Sequence, residues 1–276
     1  MRFISACFDT RCYRTDASPG KTKPAGPFDL ATVHSILALE LPRSTSPACF
    51  EITAQTLVML LGEKASSMSQ WNIEATLSGV STICQDTTVD SSVRSSPRTY
   101  PLLCRLVEIV IKRHRVRLEG HFHLLIMTLQ SLLSSLITQR GAAPSTETLN
   151  GARPTSAADK KEHSKRFSRL LELVCEPSVA SVTRAQQNVL NSATQAAKRS
   201  AGQHMYLVLM AYIKLQLEHN VPVTVREALE PGVFSILSIT TDEGRAIMND
   251  AMDSSGRAIF REVYRRWQRF GKWQGI

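Results

Sequence analysis

The side chains here whose type and spacing could do chemistry are a histidine pair, six cysteines and two arginine clusters. His121 and His123 stand two apart in "GHFHL". Side chains two apart on a helix do not face each other, so the pair could chelate a metal only from a non-helical backbone. The plainer expectation is that they cap or pack near Arg113–Arg117. Cys7 and Cys12, five apart in the chain, could join a distant histidine pair as a zinc site, but that spacing is not a zinc signature. Cys49, Cys84, Cys104 and Cys175 complete a scattered set. Cys104 and Cys175 fall within helical apolar patterns, and all six are read as reduced thiols in a reducing compartment. No glycine-rich phosphate loop, nucleophile elbow or HExxH occurs. Asp242, Glu243, Asp250 and Asp253 have no catalytic partner by spacing. The expectation is therefore no metal, no cofactor, no small-molecule substrate and no enzyme; a small helical enzyme would bring a recognisable polar constellation.

The arginines say more. "SSGRAIFREVYRRWQRFGKW", Ser254–Trp273, carries Arg257, Arg261, Arg265, Arg266, Arg269 and Lys272, opposed by Glu262 alone. At 100° per residue, Arg257, Arg261, Arg265 and Arg269 advance about 40° per step and form one stripe. Ile259, Phe260, Val263, Tyr264, Trp267 and Phe270 fall on the opposite arc, so the segment predicts an amphipathic helix. Asp253 or Ser254 caps its start and Gly271 its end. One reading is a core-packing helix with a solvated charged face. The other gives the stripe a phosphate or acidic-protein partner. Lys112, Arg113, Arg115 and Arg117 in "IKRHRVRLEGH" form a second cluster. Cations suit the negative end of a helix, yet four exceed what one helix end requires. A polyanion or an acidic partner remains a reading there too.

These residues need elements to hold them. The chain has 276 residues, a net charge of +9 and 43% hydrophobic residues, enough for a substantial core. No apolar run approaches the roughly 20 residues of a membrane span, and "MRFISACF" turns polar too soon for a signal peptide. A basic chain without export signals reads as intracellular and near polyanions. Residues 1–27 are polar and aperiodic, a disordered or truncated edge. From residue 28 to 276 the pattern is helical. Helices are expected over Phe28–Leu41, Cys49–Leu61, Gln70–Ile83, Tyr100–Leu118 and His121–Thr138, then Lys165–Cys175, Val179 to about Ser200, and Gly202–His219. A Thr224–Glu227 capping box opens a short helix that Pro231-Gly232 ends, and Val233–Ile239 begins another. Thr240 and Glu243 cap the next. Residues 85–99 and 140–161 are read as mobile loops from their Ser, Thr, Gly and Pro content. The class is all-α, an irregular solenoid-like array of antiparallel helices, with no repeat of fixed period.

Several stretches together resemble a known family. "YPLLCRLVEIVIKRHRVRLEGHFHLL", "FSRLLELVCEPS", "AGQHMYLVLMAYIKLQLE", "VREALEPGVFSIL" and "AMDSSGRAIFREVYRRWQRFGKW" are similar, in order, to the C-terminal domain of the unhealthy ribosome biogenesis protein 2 family. The LEPG and SSGRAIF…FGKW signatures carry the likeness, which runs from about Phe50 to Trp273. The resemblance implies a non-catalytic scaffold in the nucleolus that takes part in assembly of the large ribosomal subunit and in the processing of its precursor RNA. Its implied partners are a larger helical-repeat protein and a DEAD-box RNA helicase. Family members are much longer, so the chain reads as a C-terminal fragment or a truncated gene model. It departs from the pattern at His121, where an arginine is usual, and at Trp267, where a tyrosine is usual. Loss of a fixed charge at His121 weakens a phosphate reading there. The site expectations are the ten cations Arg257, Arg261, Arg265, Arg266, Arg269, Lys272, Lys112, Arg113, Arg115 and Arg117, facing protein with auxiliary RNA contact. A direct RNA-binding helical module is the alternative.

Overall fold

The computed structural model describes residues 29–86, 88–118, 120–138, 157–178 and 190–271, without the side chains of 190–193. Among them every regular element is helical. The α-helices are α1 (Leu30–Glu40), α2 (Pro47–Glu63), α3 (Gln70–Gln85), α4 (Ser91–Ser95), α5 (Thr99–His114), α6 (Phe122–Thr138), α7 (Ala157–Cys175), α8 (Leu190–Gly202), α9 (Tyr206–Glu218), α10 (Val223–Ile239), α11 (Asp242–Ala251) and α12 (Ser254–Phe270).

Short polar caps start many of them. Asp29, Ser46, Ser69, Thr241 and Asp253 each accept a backbone N–H from the first turn of the helix that follows, filling donors that have no intrahelical partner. At α3 the cap is reciprocal. Ser69 Oγ accepts from Asn72 N–H, while Asn72 Oδ1 accepts from Ser69 N–H at 2.7 Å. Asn72 then spends its amide on α1, donating to Ala31 O at 2.8 Å and Ser35 Oγ at 2.9 Å. A cap thus becomes an interhelical tie.

The helices pack in two rows. In one, α1 meets α3, α3 meets α6, α6 meets α9, and α9 meets α12. In the other, α2 meets α5, α5 meets α7, and α7 meets α10. The rows touch pairwise, α1 on α2, α3 on α5, α6 on α7 and α9 on α10. Each amphipathic stripe is buried between a row neighbour and a cross-row partner. A single hydrophobic core results, continuous from Ala38 to Trp267.

The α7–α10 contact is the most extensive, and it overturns one expectation. Pro231-Gly232 does not end a helix; α10 runs unbroken from Val223 to Ile239 with Pro231 inside it. Proline has no N–H to give and crowds the carbonyl four residues back. The helix survives because packing compensates: Gly232 N–H donates sideways to Ser168 Oγ of α7 at 2.8 Å. A Cβ on Gly232 would lie 2.7 Å from Ser168 O and 2.9 Å from Leu171 Cβ. Glycine is required there for close approach.

Other boundaries differ. The Thr224–Glu227 box does not form; Pro222 precedes α10 with no side-chain cap. The cap of α11 is Thr241, one residue later than Thr240. Residues 85–99 are not structureless: α4 lies within them, Val89 and Val93 are buried, and Thr99 Oγ1 donates to Val93 O. Of 140–161, Ala157–Lys161 are the first turns of α7, and the rest lies outside the described residues. Residues 1–27 lie outside them too, as do 179–189 of the expected Val179–Ser200 helix; α8 is its described part.

Candidate functional site

α12 forms as its spacing predicts. Asp253 caps it, accepting from Gly256 N–H at 2.7 Å, and Gly271 closes it, its N–H bonded to Trp267 O. One face closes the core. Phe260 and Trp267 are each 9% exposed, and Ile259, Val263 and Tyr264 pack beside them. The rings of Phe260 and Tyr264 lie 6.1 Å apart and those of Tyr264 and Trp267 5.3 Å apart, both tilted. Trp267 Nε1 donates to Ser238 Oγ of α10 at 3.1 Å, so the indole's polar edge is satisfied as it is buried. Phe270 departs from the expectation. It is 60% exposed and outside the core cluster, although the helical wheel puts it on the apolar arc.

The cations of α12 divide. Arg266 reaches back to α10 and pairs with Glu230 at 2.6 Å. Glu230's carboxyl is raised above its ordinary range, by burial first and against the pull of Arg266. Arg266 thus helps hold α12 to α10. Arg257 donates to Asn249 O at 3.4 Å, across the corner with α11. Arg265 pairs with Glu262, three residues back, at 2.5 Å. Among the described residues Arg261 and Arg269 have no ion-pair or hydrogen-bond partner and both are exposed. Lys272 lies outside the described residues. A concavity of about 300 Å3 opens between α11 and α12, lined by Asn249, Phe260, Arg261, Tyr264, Arg265 and Gln268.

The second cluster scatters. Lys112 pairs with Glu108, which also takes Arg105. Arg113 is exposed and Arg117 half-buried, neither with an ion-pair or hydrogen-bond partner among the described residues. Arg115 corrects the expectation that it faces a partner. It is buried, and its guanidinium donates to Leu173 O at 3.0 Å and Val174 O at 2.6 Å. Those carbonyls belong to the last turn of α7, where a cation also suits the helix's negative end. Nothing in the local sequence signals this, because the acceptors are backbone groups 58 and 59 residues away. The structure does not bring the two clusters together: α5 packs on α2, α3 and α7, and α12 on α9 and α10.

The remaining candidates have structural roles. His121 stands just before α6, its carbonyl accepting from Leu124 N–H at 3.1 Å, and its Nδ1 lies 3.0 Å from Glu74 Oε1 on α3. Its ring stands 6.3 Å from that of His123. Cys104 and Cys175 are buried, and burial pushes both thiols well up; Cys84 is pushed up to about 12 for the same reason. Such thiols hold their protons and are poor nucleophiles. Cys7 and Cys12 lie outside the described residues. Among those residues no group of three His, Cys, Asp or Glu side chains could hold a metal, and no helix is long and apolar enough to cross a membrane.

Fold and site together define an all-α protein, its helices packed on a shared core, with a basic helix face beside a notch. The chain matches the Urb2/Npa2 family over residues 51–276, and it belongs to that family. Membership implies a role in ribosome biogenesis; the family is not a known enzyme family. No curated protein and no solved structure matches the chain.

Proposed function

We propose that the protein is a non-catalytic scaffold of nucleolar large-subunit assembly, and that the arginine face of α12 is where it meets a partner protein. The observation that carries this reading is the division of α12. Its aromatic face and Arg266 hold the helix to α9 and α10, while Arg261 and Arg269 are left exposed and unpaired. A surface that keeps uncompensated charge while its other side closes the core is available to an anionic partner at little cost to the fold. Family membership supports a role in ribosome biogenesis; within it, the proposal sets the protein in early particles of the large subunit, with a larger helical-repeat protein and a DEAD-box RNA helicase as partners. A second reading, direct RNA binding, is favoured by Arg113 and Arg117, which add unpaired cations at the end of α5.

Charge reversal separates these readings. Arg261→Glu with Arg265→Glu should leave thermal unfolding within about 0.5 kcal/mol of wild type, since the pair is exposed. It should cut co-purification with pre-ribosomal particles several-fold, whether or not nuclease is present. Undiminished recovery refutes the role of this face. Recovery lost to nuclease in the wild type as well transfers the role to RNA.

A further inference from the structure

From the notch between α11 and α12 we infer the kind of segment that docks there: an acidic helix that inserts one apolar side chain between Arg261 and Arg265. The inference rests on the protein-partner reading above and adds the partner's chemistry. Four observations converge on it. The notch holds about 300 Å3, the bottom of the range for small-molecule sites and suited to a single large side chain. Its lining joins two aromatic residues, Phe260 and Tyr264, to Arg261, Arg265, Asn249 and Gln268. The polar residues supply charge and amide donors, the aromatic ones a place to leave water. Third, Arg257, Arg261, Arg265 and Arg269 rise about 6 Å per step along the helix, the same spacing as carboxylates four apart on a facing helix.

The fourth observation bears against nucleic acid. Binding of single strands uses aromatic faces free to stack on bases. In the notch Tyr264 makes tilted ring contacts with Phe260 and Trp267, and the indole is tied to Ser238; the exposed Phe270 lies off the notch, on the arc opposite the arginines. Glu262 stands within the basic stripe, and Asp250 and Asp253 stand at the α11–α12 corner. A continuous phosphate chain would have to pass those carboxylates. A helix that places its acids at intervals can step over them. Arg265 already donates to the Glu262 carboxylate, and its remaining donors are open to a second.

The test uses the purified full chain and a labelled synthetic peptide about sixteen residues long, near the length at which an isolated helix becomes marginal. The peptide carries glutamates four apart and one central leucine; a second version has alanine in its place. Fluorescence anisotropy should show the leucine peptide binding about fivefold to tenfold more tightly, the effect of partly burying one leucine. Both should weaken as salt rises. Asn249→Trp fills the notch without changing charge and should erase the leucine preference while keeping the salt dependence. Equal affinity for the two peptides, no binding of either, or a leucine preference that survives Asn249→Trp overturns the inference. A single-stranded RNA of equal charge that outcompetes the leucine peptide overturns it in favour of nucleic acid. If the leucine preference holds but charge reversal leaves particle recovery intact, the notch stands and the scaffold role of this face fails.

Discussion

Adding one methyl group at Gly232 tests the α7–α10 contact more directly than any deletion. Two effects oppose each other in Gly232→Ala. Alanine is a better helix former than glycine by about 1 kcal/mol. Against that, the new Cβ would sit 2.7 Å from Ser168 O and 2.9 Å from Leu171 Cβ. Both obstacles are fixed close to the backbone of α7, so relief requires the helices to move apart. Overpacking of this kind costs about 1–3 kcal/mol, and the rigid neighbours place it at the upper end. Separation also stretches the 2.8 Å bond from Gly232 N–H to Ser168 Oγ, worth about 1 kcal/mol more. The clash therefore wins, with a net loss of about 3 kcal/mol. For a domain of this size that lowers Tm by roughly 6–12 °C, readable by circular dichroism. Gly62→Ala on α2 is the control. Its Cβ would meet only Ile109 Cδ1 at 4.0 Å, an ordinary contact, so Tm should hold or rise slightly. A Gly232→Ala protein as stable as wild type, or an equal loss in Gly62→Ala, would refute the close-approach argument.

Two further outcomes follow from buried polar groups. Arg115→Ala strands the carbonyls of Leu173 and Val174 and should cost about 2–4 kcal/mol; Arg113→Ala, exposed and unpaired, should change urea unfolding by less than about 0.5 kcal/mol. Equal effects would mean the two cations play the same part. His34 is fully buried, and burial with His114 nearby lowers its pKa from 6.5 to about 4. The unfolded chain then binds the proton first, so this stability is complete above about pH 6.5 and lost as pH falls toward 4, up to roughly 3 kcal/mol. Urea unfolding from pH 7 to 5 should show the decline, and His34→Gln should flatten it. A wild-type profile without slope over that interval would contradict the assignment.

What could be read from the sequence was local. Asp253, the stripe at steps of four and the aromatic arc specify the seventeen residues of α12, because cap, period and face all lie in one stretch. The class followed from the same periodicity elsewhere. The failures share a cause, a partner far away in the chain. Pro231 looked like a stop because the Ser168 hydroxyl that catches the next N–H is 64 residues distant. The start of α7 was missed because "ADKKEHSK" has little apolar rhythm, yet His163 and Ser164 are buried. Arg115 and Arg113 are indistinguishable by type and differ wholly in environment. Arg266 read as part of a binding surface because Glu230 stands on another helix. The row order depends on such distant pairs and cannot be seen from any window.

Those distant pairs have a common geometry. Arg115 at the end of α5 holds the last turn of α7; Ser168 of α7 holds Gly232 of α10; Glu230 and Ser238 of α10 hold Arg266 and Trp267 of α12. Each polar contact joins one helix to the next along α5, α7, α10 and α12. Apolar stripes alone let two helices slide by a turn with little penalty, since one leucine replaces another in the groove. A directional bond to a single carbonyl, amide or hydroxyl does not survive a 5.4 Å shift. The pins therefore set the register that packing leaves loose. They also tie display to folding. Arg261 and Arg269 point outward only because Trp267 and Arg266, on the same helix, are fastened inward to α10. A face built in this way is presented at one fixed angle by the pinned helices, so in the proposed scaffold role it would meet a partner with its charges already in place.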